Sequence, residues 1–306
     1  MKINLEKHDR ISFFGDSITA HGMWIREVAE YFVQKYPELE IGIYNSGIAG
    51  SRASGANLKD RMYCDCLQMF PKYVVVMFGM NDVEYNLHGS EDPAEIEKMN
   101  KSIASYPDSL KNIIKICKES GATPIICSPT PFDAYNDSPT ENQIDTDRDL
   151  QGFAEIAKRT AEENGLLYID MRDAIFSHID EKPVSEDRVH PNEYGHHLMA
   201  ERFLCAIGAK ETEEPDKVVE ISEKNQKRFE IEQILRKLMF VDRDGMLWQF
   251  EDYNRPLEER KELLAKTAKK LDNDFWHLVN NNYVKYADFK DELRGELVRL
   301  TLEMYK

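Results

Sequence analysis

Tyr73-Val-Val-Val-Met-Phe78 is an unbroken apolar run that stops at Gly79, and no other feature of the chain restricts its fold so tightly. A strand that is apolar on both faces has to be covered on both faces. Shorter runs of the same kind recur at Ile11-Ser-Phe-Phe14, Ile41-Gly-Ile-Tyr44, Pro124-Ile-Ile-Cys127 and Leu166-Leu-Tyr-Ile169. Between them lie stretches with apolar residues at helical spacing: Trp24 to Tyr36, ending before Pro37; Ile103 to Glu119, with Gly121 just past its end; Asp147 to Asn164; and Asn192 to Ile207. Apolar strands separated by helices predict a parallel sheet with helices on both faces. Such a sheet carries its ligand site at the carboxyl ends of its strands.

Beyond Gly208 the character changes. Lys210 to Lys217 reads as a polar linker, and the rest is strongly charged with helical periodicity, predicting helices near 218–240, 257–280 and 284–305. We therefore divide the chain into an α/β unit over 1–208 and an all-helical C-terminal extension over 209–306. Trp248, Phe250, Tyr253, Phe275 and Trp276 are expected to form the extension's own core. The extension is expected to pack over the site or to make a homo-oligomer contact. Asp242-Arg-Asp244-Gly245 has the start of a calcium loop, but Tyr253 stands where the closing Glu is required.

A formal charge of −16 argues against a nucleic-acid partner and against adsorption to an anionic membrane, both of which need a basic surface. No run of about 18 apolar residues is present to span a bilayer, and the N-terminus lacks a secretory apolar segment. Five scattered cysteines, Cys64, Cys66, Cys117, Cys127 and Cys205, suit a reducing compartment, so a cytoplasmic location is expected. Cys64 and Cys66 lack the second pair that a zinc site needs.

Four short blocks stand out, three at strand ends and one just before the last helix. Gly15-Asp16-Ser17 follows the first strand, where a serine can project its hydroxyl over the sheet edge; the plain alternative is a helix N-cap at Ser17 or Thr19. Asn45 to Gly55 follows the second, and its glycines allow close approach to bare amides. It lacks the endings of a phosphate loop, and a simple flexible connection is the rival reading. Gly79-Met80-Asn81-Asp82 follows the third. Asn81 offers a neutral N–H donor for a developing alkoxide, although an Asn-Asp pair more often bonds its own turn. Asp187-Arg-Val-His190-Pro191 precedes the last helix, and a carboxylate three residues before an imidazole can fix its tautomer. His196 and His197, on that helix, are expected on a solvated face, the alternative being that one of them faces the pocket.

Together the blocks supply a nucleophile, bare amides, an amide donor, an orienting acid and a base. In this order they resemble the SGNH hydrolases, the GDSL-type lipases and acylhydrolases, over about residues 8–208. The resemblance implies a flavodoxin-like three-layer α/β/α sandwich with a five-stranded parallel sheet, and no cofactor or metal. It implies a triad of Ser17, His190 and Asp187, and an oxyanion hole made of the Ser17 amide, the Gly50 amide and the Asn81 side chain. Ala49 stands where many members have Ser, and Met80 replaces a frequent Gly, which is expected to narrow one wall of the pocket.

The expected chemistry is two-step acyl transfer by a serine esterase on a small-molecule or oligosaccharide ester. Rate should fall on acidification, since a protonated imidazole cannot act as base. A short acyl group, acetyl above all, on a carbohydrate is the expected substrate, because Arg52, Tyr85, Asn86, His88, Tyr135 and Asn136 line the loops with polar and aromatic groups. Asp16, Arg52, Met80 and Asp82 are the expected substrate contacts. The alternatives are a lipid acylhydrolase or thioesterase, which needs an apolar groove, and a non-catalytic sugar-binding protein on the same fold.

Overall fold

The computed structural model describes residues 3–226, apart from 57, 68–70, 135, 137–143, 180–181, 218 and 224. Five strands, β1 (Arg10–Gly15), β2 (Gly42–Asn45), β3 (Tyr73–Met77), β4 (Thr123–Cys127) and β5 (Leu167–Ile169), form one sheet in the order β2-β1-β3-β4-β5. Every pairing is parallel. All five runs singled out by their apolar character are strands. The central one, β3, is buried along its whole length, as an interior parallel strand must be.

The chain leaves β1 in one direction to build β2 and then crosses to β3 on the other side. The crossovers put α2 (Met23–Lys35) on one face, and α4 (Pro93–Glu119) and α5 (Ile144–Glu163), which pack together, on the other. The last long helix, α7 (Glu193–Ala206), packs against α2. Alternation along β1 serves both layers. Phe13 meets Trp24 of α2 edge-on at 4.9 Å and Phe203 of α7 at 5.3 Å, while Phe14 meets Phe78 at 5.2 Å. On the α4/α5 side Tyr106 stacks on Phe153 at 3.9 Å and donates to the Phe78 carbonyl.

Three helices go beyond the apolar periodicity. Helix α4 begins ten residues before Ile103, because Asp92 caps it by accepting from Ala94 N and Pro93 occupies its first position. Its first turns are polar and exposed, so no apolar stripe marks them. Helix α1 (Ser17–His21) is a five-residue helix capped by the Asp16 carboxylate, which accepts from Ile18 N at 3.0 Å. Helix α6 (Met171–Phe176) is capped in the same way by Asp170. Between β2 and β3 lies a further short helix, α3 (Leu58–Arg61), which runs on into a wider turn over Met62–Cys66.

His196 and His197 are not on a solvated face. They are 0% and 6% exposed, because α7 packs against α2 and α6 and residues Lys210, Glu213 and Glu214 bond along it. His197 pairs with Glu27 of α2 at 2.7 Å. The segment read as a free polar linker is pinned down by its own polarity: Tyr31 and Tyr36 donate to the Ala209 carbonyl, and Lys210 and the Glu214 amide both reach the buried Glu201. Ser222 donates twice to the buried Glu30. Residues 219–222 are not helical and helix begins at Glu223, five residues later than expected. The expected helices near 257–280 and 284–305, and the aromatic residues of the extension, lie outside the described residues.

Candidate active site

Ser17 opens α1 immediately after β1, and Asn81 follows β3. These adjacent strands flank the point where the chain reverses its direction of travel through the sheet, so both groups stand at the crevice that a parallel sheet leaves open. As the first residue of a helix, Ser17 has an amide with no intrahelical acceptor.

The last block closes onto this rim. Ser17 Oγ lies 2.9 Å from His190 Nε2, and His190 Nδ1 lies 2.8 Å from Asp187 Oδ2. The second carboxylate oxygen, Oδ1, accepts from the His190 amide at 2.7 Å and from the Val189 amide at 3.1 Å. An imidazole that donates its Nδ1–H in a hydrogen bond to a carboxylate leaves Nε2 as an acceptor facing the hydroxyl. Burial pushes the Asp187 carboxyl up, but the hydrogen bonds from the ring and the two amides outweigh it and hold the group below its ordinary value. It stays an anion across the neutral range.

The bend that brings Asp187 and His190 to the same side has its own support. Arg188 adopts φ 72°, a left-handed conformation that costs a non-glycine residue roughly 1–2 kcal/mol. Its buried guanidinium donates to the carbonyls of Asp133 and Ala134, and its own carbonyl accepts from the Asp133 amide. Ser185 bonds the Asp133 carboxylate at 2.7 Å, and Asn136 donates to both Ser185 oxygens. Sequence reasoning missed this brace. Its one signal was a bulky residue between Asp187 and His190, where the turn needs positive φ.

Gly50 sits at an exposed turn with φ 74°, and the loop carrying it is fastened at several points. Ile48 donates its amide to the Gly15 carbonyl. Gly47 passes so close to α1 that an added Cβ would stand 2.3 Å from Ala20 N and 2.6 Å from the Thr19 carbonyl carbon, so only glycine fits there. Asn81 Nδ2 donates to the Ser51 carbonyl at 3.0 Å. The structure thus gathers Ser17, Gly50, Asn81, Asp187 and His190 at one rim.

The four expected substrate contacts have other partners. Asp82 is fully buried and accepts from the amides of Ala53 and Ser54 and the Ser54 hydroxyl, each at 3.1 Å. Arg52 is held by Glu84. Met80, 1% exposed, is turned into the core by its apolar character and does not wall the pocket. Asp16 is the buried cap of α1, and burial, helped by the nearby Asp82, pushes its carboxyl up to about 7 against the pull of the Ile18 amide and His190. Asp16 and Asp82 therefore shape the site from beneath. Of the polar loop residues, His88 is buried against the Val83 carbonyl and Asn136 is spent on Ser185. Tyr135 lies outside the described residues. Tyr85 and Asn86 keep accessible surface.

Among the described residues, no group of three or more His, Cys, Asp or Glu is placed to hold a metal ion, and no helix is long and apolar enough to cross a membrane. Cys66 and Cys127 are buried thiols pushed up by burial, Cys66 to about 12.

The sequence model of the GDSL-like lipase/acylhydrolase family matches residues 13–198, a stretch that contains all four blocks. The chain belongs to this family. Like other carboxylic ester hydrolases of the GDSL type, it acts on ester bonds. It is 27% identical over 220 residues to an acetylxylan esterase of Geobacillus stearothermophilus, covering 65% of this chain and 94% of the relative. It is 30% identical over 213 residues to an acetylxylan esterase of Xylanibacter ruminicola, of which the match spans 43%. Among solved structures, a catalytic mutant of the Geobacillus acetylxylan esterase Axe2 superposes with a TM-score of 0.57 at 25% identity, over 70% of this chain and all of that one. A gut microbial diltiazem-metabolizing enzyme superposes with a TM-score of 0.59 at 22% identity, over 68% of this chain and 48% of that one, a likeness of fold.

Proposed function

We propose that this GDSL-family hydrolase is a serine esterase that removes acetyl groups from a carbohydrate. Ser17 is the nucleophile, His190 the base and Asp187 its orienting partner. The observation that carries the reading is the unbroken chain from Ser17 Oγ through His190 to Asp187, with contacts of 2.9 and 2.8 Å. His190 takes the hydroxyl proton as Ser17 Oγ attacks the ester carbonyl. The amides of Ser17 and Gly50 and the side chain of Asn81 receive the developing oxyanion. His190 then returns the proton to the leaving alcohol, and water, deprotonated by the same imidazole, releases acetate from Ser17. The acetyl and carbohydrate parts rest on the two acetylxylan esterases among its relatives. The catalytic unit runs to about 208, with residues 209–226 bonded onto it.

The test is a fluorophosphonate probe together with p-nitrophenyl esters of rising chain length and acetylated xylooligosaccharides, with Ser17→Ala as blank. We expect labelling at Ser17, hydrolysis that falls as the acyl chain lengthens, and a loss of at least about 10³-fold in Ser17→Ala. Activity that climbs towards long acyl chains would instead mark a lipid acylhydrolase or thioesterase, and absence of labelling would sink the triad itself.

A further inference from the structure

The acyl-transfer reading above fixes which side of the site meets which half of the substrate. One imidazole both takes the Ser17 proton and protonates the leaving oxygen, so the alcohol half of the ester departs next to His190. The carbonyl oxygen lies across the attacked carbon, towards Gly50 and Asn81. A side chain that borders the His190 ring away from the oxyanion turn therefore faces the alcohol. His21 is such a residue. It is four positions after Ser17 on α1, hence on the same helical face one turn along. Its ring centroid is 6.3 Å from that of His190, tilted by 49°.

Resting on the carbohydrate-esterase reading, we propose that His21 is a specificity residue that hydrogen-bonds the sugar hydroxyls of the leaving group. Its ring is exposed, and among the described residues no hydrogen bond or ion pair engages it. A neutral imidazole presents one donor and one acceptor, which matches a sugar hydroxyl that both gives and takes. A phenolate or alkyl leaving group makes no such use of it.

The mount is rigid. The Ala20 carbonyl, one residue earlier, accepts from Asn45 Nδ2 at 3.2 Å, and α1 is capped by Gly22, whose φ is 69° and where an added Cβ would stand 2.5 Å from Asn45 Nδ2. Behind His21 stands the His196 ring at 5.7 Å. Burial first, and then the neighbouring His21, His190 and Arg26, push His196 down to about 3. It is a neutral wall that leaves the outer ring as the one facing solvent.

The experiment compares two esters with the same acyl group and different alcohols, acetylated xylobiose and p-nitrophenyl acetate, on the full chain. For His21→Ala we expect kcat/KM to fall about tenfold on acetylated xylobiose, mainly through KM, and less than about twofold on p-nitrophenyl acetate, as befits one neutral hydrogen bond. His21→Gln, which keeps a donor and an acceptor, should recover much of the loss. Equal losses on both esters would show that His21 acts through His190 or the fold, and no loss on the sugar ester would show that it touches nothing; either overturns the proposal. A failure of the underlying reading shows in the unaltered protein instead: no turnover of either ester removes the esterase, and turnover of p-nitrophenyl acetate alone removes the sugar and His21's role with it.

Discussion

Asp16 offers a measurement with a definite sign. Its carboxyl has an ordinary value of 3.8 and is pushed up to about 7 in the folded chain, chiefly by burial. Between those values the folded chain holds a proton that the unfolded chain has released, so stability contributed by this group falls as pH rises. The full shift of about 3 units corresponds to about 4 kcal/mol, at 1.36 kcal/mol per unit. Roughly 1.6 kcal/mol of it is already incurred at about pH 5, so some 2–3 kcal/mol remains to be lost by about pH 8. Asp16→Asn keeps an oxygen acceptor for the Ile18 amide, and Asn caps helices as well as Asp does, yet it has no charge to bury. The stability of Asp16→Asn minus that of the unaltered protein, from urea unfolding, should therefore increase by about 2–3 kcal/mol between about pH 5 and pH 8. The difference cancels every other titrating group that the substitution leaves alone, and the C-terminal extension with them. A gap that stays constant or narrows over that window would refute the argument that burial dominates at Asp16.

Gly47→Ala drives a methyl against the backbone of Thr19 and Ala20. It should cost about 1–3 kcal/mol in thermal unfolding and lower kcat/KM on p-nitrophenyl acetate, because α1 carries Ser17; unchanged values of both would show that the loop is not seated on that helix. Arg188→Gly and Arg188→Ala both lose the guanidinium bonds to Asp133 and Ala134, but only glycine relieves the left-handed φ, so the glycine variant should be the more stable by about 1 kcal/mol. Equal or reversed stabilities would rule out backbone strain at that turn.

The periodicity of the chain was enough for the layers. Largely apolar strands separated by helices point to a parallel sheet covered on both faces, and three of the four blocks that break the pattern fall at the strand ends where such a sheet opens. Ser17 and Asn81 were legible as candidates because each is a chemistry-bearing group at one of those ends, and Asp187 and His190 because a carboxylate and an imidazole three residues apart stand just before the closing helix. The beginning of α4 was not, since its first turns are held by a cap and a proline rather than by apolar packing. The burial of His196 and His197 was hidden as well, because what surrounds them comes from elsewhere in the chain: His21 and Arg26 beside His196, and Glu27 and the Glu214 carbonyl against His197.

Local sequence therefore determined the architecture and the candidate chemistry, which depend on spacing along one segment at a time. Which polar residues are free to meet a substrate was decided by contacts between segments far apart. Asp82 and Arg52 look available until the loop after β2 folds over β3, and Asp16 until the first turn of α1 buries it. His21 looks incidental until His190, 169 positions away in the chain, is brought beside its ring. A burial cost and a hydrogen-bond partner belong to the packed molecule, and no window of sequence contains them.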